Sequence, residues 1–131
     1  IDRGLVGSEM CIRDRLIDDA IDYSSNKKVL GKNTGDDFKE GKITLPIILA
    51  YGRSNDKEKK FWERTISDLN QNDGDFEMAL EIINKYQCIE DTLTRANHFS
   101  NVAIDSVDIF KDNIYKEKLV SLVSKSVSRI Y

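Results

Sequence analysis

Apolar residues recur at three- and four-residue intervals along most of the chain, which is the period of an amphipathic α-helix. Leu16, Ile17, Ala20, Ile21 and Tyr23 form one such stripe, interleaved with acids. Residues 24–42 keep no period and carry Gly31, Gly35 and Gly41, so they predict a loop with one helical turn in it. Thr44 stands where it would cap a short apolar helix of Leu45, Ile47, Ile48, Leu49, Ala50 and Tyr51. Pro46 falls in that helix's first turn, where proline is tolerated, and the composition predicts burial.

After the polar break Arg53-Ser54-Asn55, residues 56–69 are amphipathic through Phe61, Trp62, Ile66 and Leu69. A turn at 70–74 precedes a second amphipathic stretch at 76–86, carried by Phe76, Ala79, Leu80, Ile83 and Tyr86. A long helix is expected over 89–110 and a last one over 115–130, the latter through Leu119, Leu122, Val123, Val127 and Ile130. There is no strand-like alternation and no repeat at a fixed period, so the predicted fold class is all-α. Residues 1–15 stand apart. They hold Gly4 and Gly7 among scattered charges without a steady apolar face, and the string GLVGSEMCIRDR resembles translated sequencing-adapter read-through. The expectation is a non-native scar or frayed extension at 1–15, with the domain proper at 16–131.

Composition narrows the function classes. At 131 residues the chain fits one domain, and 40% hydrophobic with 33% charged residues is ordinary for a soluble globular protein. A net charge of −3 supplies no basic field for nucleic acid. The best uncharged stretch, residues 43–52, contains Pro46 and falls well short of the roughly 20 apolar residues a membrane span needs. Cys11 and Cys88 are far apart and lack partners at metal-ligand spacing, which argues against a disulfide framework or zinc site and points to a reducing cytoplasm. His98, the single histidine, has no nucleophile or second ligand in its flank and reads as a surface residue. A calcium loop beginning at Asp68 fails, because its glycine falls at position seven and Ala79 stands where the glutamate belongs.

Asp18, Asp19 and Asp22 make a D-D-x-x-D cluster on the first predicted helix. Asp18 and Asp22 lie one turn apart on the same face, with Asp19 on the flank. Two carboxylates so placed suit a hard divalent cation, and magnesium in particular when substrate phosphates complete its octahedron. A solvated acidic face would have the same residues. What distinguishes the two is the sequel: Gly31-Lys32-Asn33-Thr34-Gly35-Asp36-Asp37, then Glu40-Gly41-Lys42-Ile43-Thr44-Leu45-Pro46. The glycines allow tight turning near an anion, and Lys32 and Lys42 supply point charges suited to phosphate oxygens. Acids followed by a lysine-bearing glycine loop are what binding a metal–diphosphate complex requires.

These segments, LIDDAIDY and GKNTGDDFKEGKITLPIILAY, resemble the second aspartate-rich region of the trans-isoprenyl (polyprenyl) diphosphate synthase family. FWERTI and the tail ending SVSRIY resemble its long-chain branch, the octaprenyl and decaprenyl type that makes quinone side chains. The resemblance covers residues 16–131. It implies the C-terminal part of the isoprenoid (terpenoid) synthase helical bundle and a magnesium-dependent prenyltransferase. Such an enzyme joins isopentenyl diphosphate to an allylic diphosphate through a carbocation. By motif position, Asp18, Asp19 and Asp22 would hold magnesium, Lys32 would contact the allylic diphosphate, Asp37 would support, and Lys42 would make a further phosphate contact. The resemblance also implies a homodimeric parent.

Family members read Phe-Gln where this chain has Asp14-Arg15, and nothing here matches the first aspartate-rich motif or the basic residues for isopentenyl diphosphate. The chain is therefore expected to carry half an active site, to be inactive alone, and to expose Ile47, Ile48 and Leu49 where the other half would pack. The alternatives are a non-catalytic helical subunit that partners a prenyl synthase and a generic helical interaction module. The first has no need of the intact acids and lysine; the second leaves the motif order unexplained.

Overall fold

A computed structural model describes residues 2–24, 34–108 and 112–128. Among them the regular structure is entirely helical: α1 (Asp2–Asp22), α2 (Asp36–Lys39), α3 (Leu45–Arg53), α4 (Asp56–Trp62), a π-helical turn (Glu63–Ser67), α5 (Asp75–Lys85), α6 (Cys88–Val107) and α7 (Ile114–Ser128). The all-α expectation agrees with this. The expected helix ends at Phe110 and Ile130 lie outside the described residues.

The chain divides into two compact units, residues 18–92 and residues 1–17 with 93–131. The first has an apolar core in which Tyr23, Phe38, Ile47, Trp62, Ile66, Ile83 and Cys88 are buried. Its helix ends are closed by local chemistry. Asn55 and Glu58 form a reciprocal capping box at the start of α4, each side chain accepting from the other's backbone N–H at 3.0 Å. The Ser54 hydroxyl donates to the Ala50 carbonyl at 2.7 Å and accepts from Trp62 Nε1 at 3.1 Å, which fixes the α3–α4 corner. Glu58 also accepts from Lys85 Nζ at 2.7 Å and Tyr86 Oη at 2.9 Å, tying α4 to the end of α5.

The stretch expected to be one helix over 56–69 loosens after Trp62 into the π-helical turn. There the Thr65 hydroxyl donates back to the Phe61 carbonyl, and Arg64 reaches α5 to grip both oxygens of Asp75 at 2.8 and 2.9 Å. Thr65 and Ile66 stay buried through the widened turn. Periodicity cannot separate such a turn from an α-helix, because both bury residues at nearly the same spacing.

In the second unit, Asn113 Oδ1 caps α7 by accepting from the backbone N–H groups of Tyr115 and Lys116. Lys116 Nζ pairs with Asp112 at 2.9 Å and Asp108 at 3.3 Å. Residues 2–15, set apart in the sequence, continue α1 without a break into the acidic segment, and Arg13 within them is buried. Propagating a helix costs far less than nucleating one, so a segment lacking its own apolar face can extend a neighbour's helix.

Candidate metal and diphosphate site

The site is built where the end of α1 meets the returning chain at residues 34–44. Ala20 on α1 and Tyr23 just past its end are buried, while Asp18 is exposed, Asp19 buried and Asp22 half-buried. Asp18 and Asp22 thus share the open side, and Asp19 turns inward, as the helical spacing implies. The chain comes back through Gly35, whose φ of +89° is open to glycine and strained for other residues. The Gly35 N–H donates to the Asp22 carbonyl at 3.1 Å, and the Asp37 N–H donates to Asp22 Oδ2 at 3.1 Å. The ring of Phe76 lies directly under Gly35.

Asp37 links onward. Its carbonyl accepts from the Lys42 N–H at 2.9 Å, and its carboxylate pairs with Lys42 Nζ at 3.2 Å. Asp22, Asp37 and Lys42 are therefore brought together. Lys32 lies outside the described residues.

Burial, and then the nearby negative charge of Asp37, push the Asp22 carboxyl above its usual range, while the Asp37 N–H pulls partly the other way. Hard carboxylate oxygens held against one another in this way favour a cation, which would relieve both effects. Among the described residues, however, no group of three or more acidic, cysteine or histidine side chains converges as a metal cluster. The inward turn of Asp19 is one reason. Asp18 and Asp22 are the acids of the cluster on the open side that could hold a hard ion if other ligands completed its shell.

Two features were not read from the sequence. Thr44 occupies the N-cap position of α3 with extended backbone, but its hydroxyl makes no capping bond. That hydroxyl and the Tyr23 hydroxyl are both buried and without a hydrogen-bond partner. Tyr23 had only its ring to mark it, as one member of an apolar stripe. The exposed apolar face is also smaller than expected: Ile48 is 53% exposed, but Ile47 is buried and Leu49 packs partly against the core. In a nine-residue helix covered on one side, three consecutive residues cannot all face outward.

Comparison with known proteins identifies the family and the fold. The family model for polyprenyl synthetase matches residues 6–83. The chain is 34% identical over 117 residues to the octaprenyl diphosphate synthase of Haemophilus influenzae, covering 89% of this chain and 35% of that protein. It is 30% identical over 116 residues to an all-trans-nonaprenyl-diphosphate synthase (geranyl-diphosphate specific) of Rhodobacter capsulatus, covering 88% and 35%. Among solved structures, a polyprenyl synthase from Caulobacter crescentus, crystallised with calcium and isoprenyl diphosphate, is similar at a TM-score of 0.86 and 39% identity, over 94% of this chain and 38% of that one. A decaprenyl diphosphate synthase from Rhodobacter capsulatus gives a TM-score of 0.88 and 32% identity, over 96% and 39%. The chain has the helical fold of the matched part of these proteins, and it spans about 35% of the length of the curated relatives.

Proposed function

Because the chain belongs to the polyprenyl synthetase family, we propose that it is the C-terminal part of a trans-polyprenyl diphosphate synthase. The parent enzyme adds isopentenyl diphosphate units to an allylic diphosphate and makes a long-chain product for isoprenoid or quinone biosynthesis. The observation that carries this reading is the family match, which runs through the acidic segment and the lysine-bearing return. The relatives carry synthase names, which does not favour a non-catalytic subunit.

In this reading Asp18 and Asp22 hold magnesium with Asp19 supporting from the flank, Lys32 and Lys42 meet the diphosphate, and Asp37 supports them. Bound magnesium would supply neutralisation of the charge that develops on the departing diphosphate. The chain's own part is to hold its groups still before the reaction. The Asp37 N–H fixes one oxygen of Asp22, and the Asp37 carboxylate holds the Lys42 ammonium nearby. Lys42 releases that carboxylate for a phosphate oxygen at modest cost, since an exposed ion pair contributes little.

The parent is further proposed to be a cytoplasmic homodimer with no nucleic-acid partner; no described helix is long and apolar enough to cross a membrane. The boundary at residues 15 and 16 stays a proposal too. Asp14-Arg15 stand where the family reads Phe-Gln, yet α1 crosses the boundary unbroken and the family match begins at residue 6.

The test is incorporation of labelled isopentenyl diphosphate by the full-length parent. We expect magnesium-dependent elongation there and none from this chain alone. Asp18→Asn and Asp22→Asn in the parent should each cut the rate on the order of 10²-fold or more. An undiminished rate in both would overturn the assignment.

A further inference from the structure

Gln71 lies in the polar stretch after the π-helical turn, where composition marks nothing beyond a reversal of the chain. Its side-chain Nε2 donates to the Phe38 carbonyl at 2.7 Å and to the Thr65 carbonyl at 2.8 Å. Both partners only accept, so the amide nitrogen with its two protons faces them, and the amide oxygen does not. Each carbonyl stands at a helix end, where intrahelical N–H groups run out. Phe38 belongs to the four-residue α2, and Thr65 to the π-helical turn that follows α4. A second contact joins the same two segments. Gly41 has a φ of +67°, and a Cβ there would collide with Leu69 Cδ2 and lie 2.9 Å from the Ile66 carbonyl oxygen. Glycine lets the return settle that close to the π-helical turn.

What rests on this junction is α2. Four residues do not hold a helix by themselves. The buried ring of Phe38 fixes where α2 lies but not how it is rotated, because apolar contact is non-directional. Rotation matters at the preceding residue. The Asp37 N–H donates to Asp22 Oδ2 at 3.1 Å, and the Asp37 carboxylate pairs with Lys42 Nζ at 3.2 Å. A hydrogen bond weakens steeply as it is misaligned, so a slight roll of α2 would release Asp22.

We propose that Gln71 is a positioning residue for the acid–lysine site, its amide clamping α2 to the π-helical turn so that the Asp37 N–H stays on the Asp22 carboxylate. The π-helical turn is the fixed side of the clamp. Arg64 within it grips Asp75 on α5 at 2.8 and 2.9 Å, and also holds the Asn70 carbonyl, next to Gln71, at 2.8 Å. Gln71 acts through Asp37 and Asp22, and its role rests on the diphosphate-site reading above.

The first test is amide hydrogen exchange on the full chain, comparing Asp37 with Ile83 in the core of α5. Gln71→Met keeps the length of the side chain and removes both protons. It should lower protection of the Asp37 amide about tenfold more than that of Ile83, the worth of one lost hydrogen bond. Gln71→Ala, which opens both carbonyls to water, takes its place if Gln71→Met does not fold. If Asp37 keeps its protection, or falls only in step with Ile83, the positioning role is overturned.

The second test is the magnesium dependence of elongation in the full-length parent. Gln71→Met should raise the magnesium concentration for half-maximal rate about fivefold, because the Asp22 carboxylate is no longer held in place. An unchanged requirement beside a selective loss at Asp37 also overturns the role. Elongation undiminished in both Asp18→Asn and Asp22→Asn would remove the diphosphate-site reading instead and leave the exchange result standing.

Discussion

The backbone N–H of Asp37 donates to the Asp22 carboxylate at 3.1 Å, joining two acids fifteen residues apart. Their side chains repel, while the Asp37 N–H attracts the Asp22 carboxylate, so these two acids are joined by a donor fixed in the chain. Under the proposed function, this restraint would hold Asp22 in place for a cation.

That arrangement sets a pH signature. Burial and Asp37 raise the Asp22 carboxyl, so the folded chain binds that proton more tightly than the unfolded one. Its stabilising contribution is fully present below the unfolded pKa, about 3.9, and is lost as pH rises through the folded value. Asp22→Asn should therefore stabilise the chain at neutral pH, with the gain vanishing on acidification. Asp75 runs the other way: the hydrogen bonds from Arg64, then the Asn72 N–H, hold it low. Asp75→Asn should destabilise at neutral pH, and that loss should fade as pH falls through the folded value. Melting curves of both variants between pH 3 and 7 check the two signs; equal slopes would contradict them.

Gly35 allows the return toward Asp22. Its φ is +89°, and a Cβ there would lie 2.7 Å from the Phe76 ring. Gly35→Ala should cost about 1–3 kcal/mol in denaturant unfolding, by combining backbone strain with overpacking. A change below a few tenths would mean the loop and ring yield freely.

Ser54 holds the indole of Trp62 at 3.1 Å in a site where the ring is 2% exposed. Ser54→Ala leaves the indole N–H buried without its acceptor and should lower stability by about 1–3 kcal/mol. Trp62 is the single tryptophan, so the red shift of its emission on unfolding reports the loss directly.

Ile43 and Ile48 are 68% and 53% exposed, and with Ile47, Trp62 and Ile66 they line an apolar groove beside α3. Ile48→Lys should reduce concentration-dependent self-association in sedimentation experiments while leaving the melting temperature within a few degrees. Unchanged association would place the adhesive surface elsewhere, with the exposed Tyr115 and Leu122 on α7 the next to change.

The helices were legible in the sequence because their cause is local. A period of 3.6 needs only the residues of one segment, so the stripe from Leu16 to Tyr23 and the proline-led helix at Pro46 announce themselves. The same spacing separates Asp18 and Asp22 from Asp19, and the order of acids and lysines carries the family resemblance. The π-helical turn and the continuation of α1 through residues 2–15 were not legible. Each depends on what a neighbouring segment supplies: Asp75 for Arg64 in the turn, and an established helix for the N-terminal residues.

Tertiary structure alone decided which groups meet. Periodicity names the face a side chain occupies and says nothing of what stands opposite. Tyr23 read as a stripe residue and Thr44 as a cap, and only the tertiary structure left both hydroxyls buried without a hydrogen-bond partner. The bonds from Gly35 and Asp37 to Asp22 likewise require the loop to close, and loop closure depends on the path of the backbone as well as its composition. The residue types for cation chemistry were therefore written in the sequence, while their mutual restraint came from the fold.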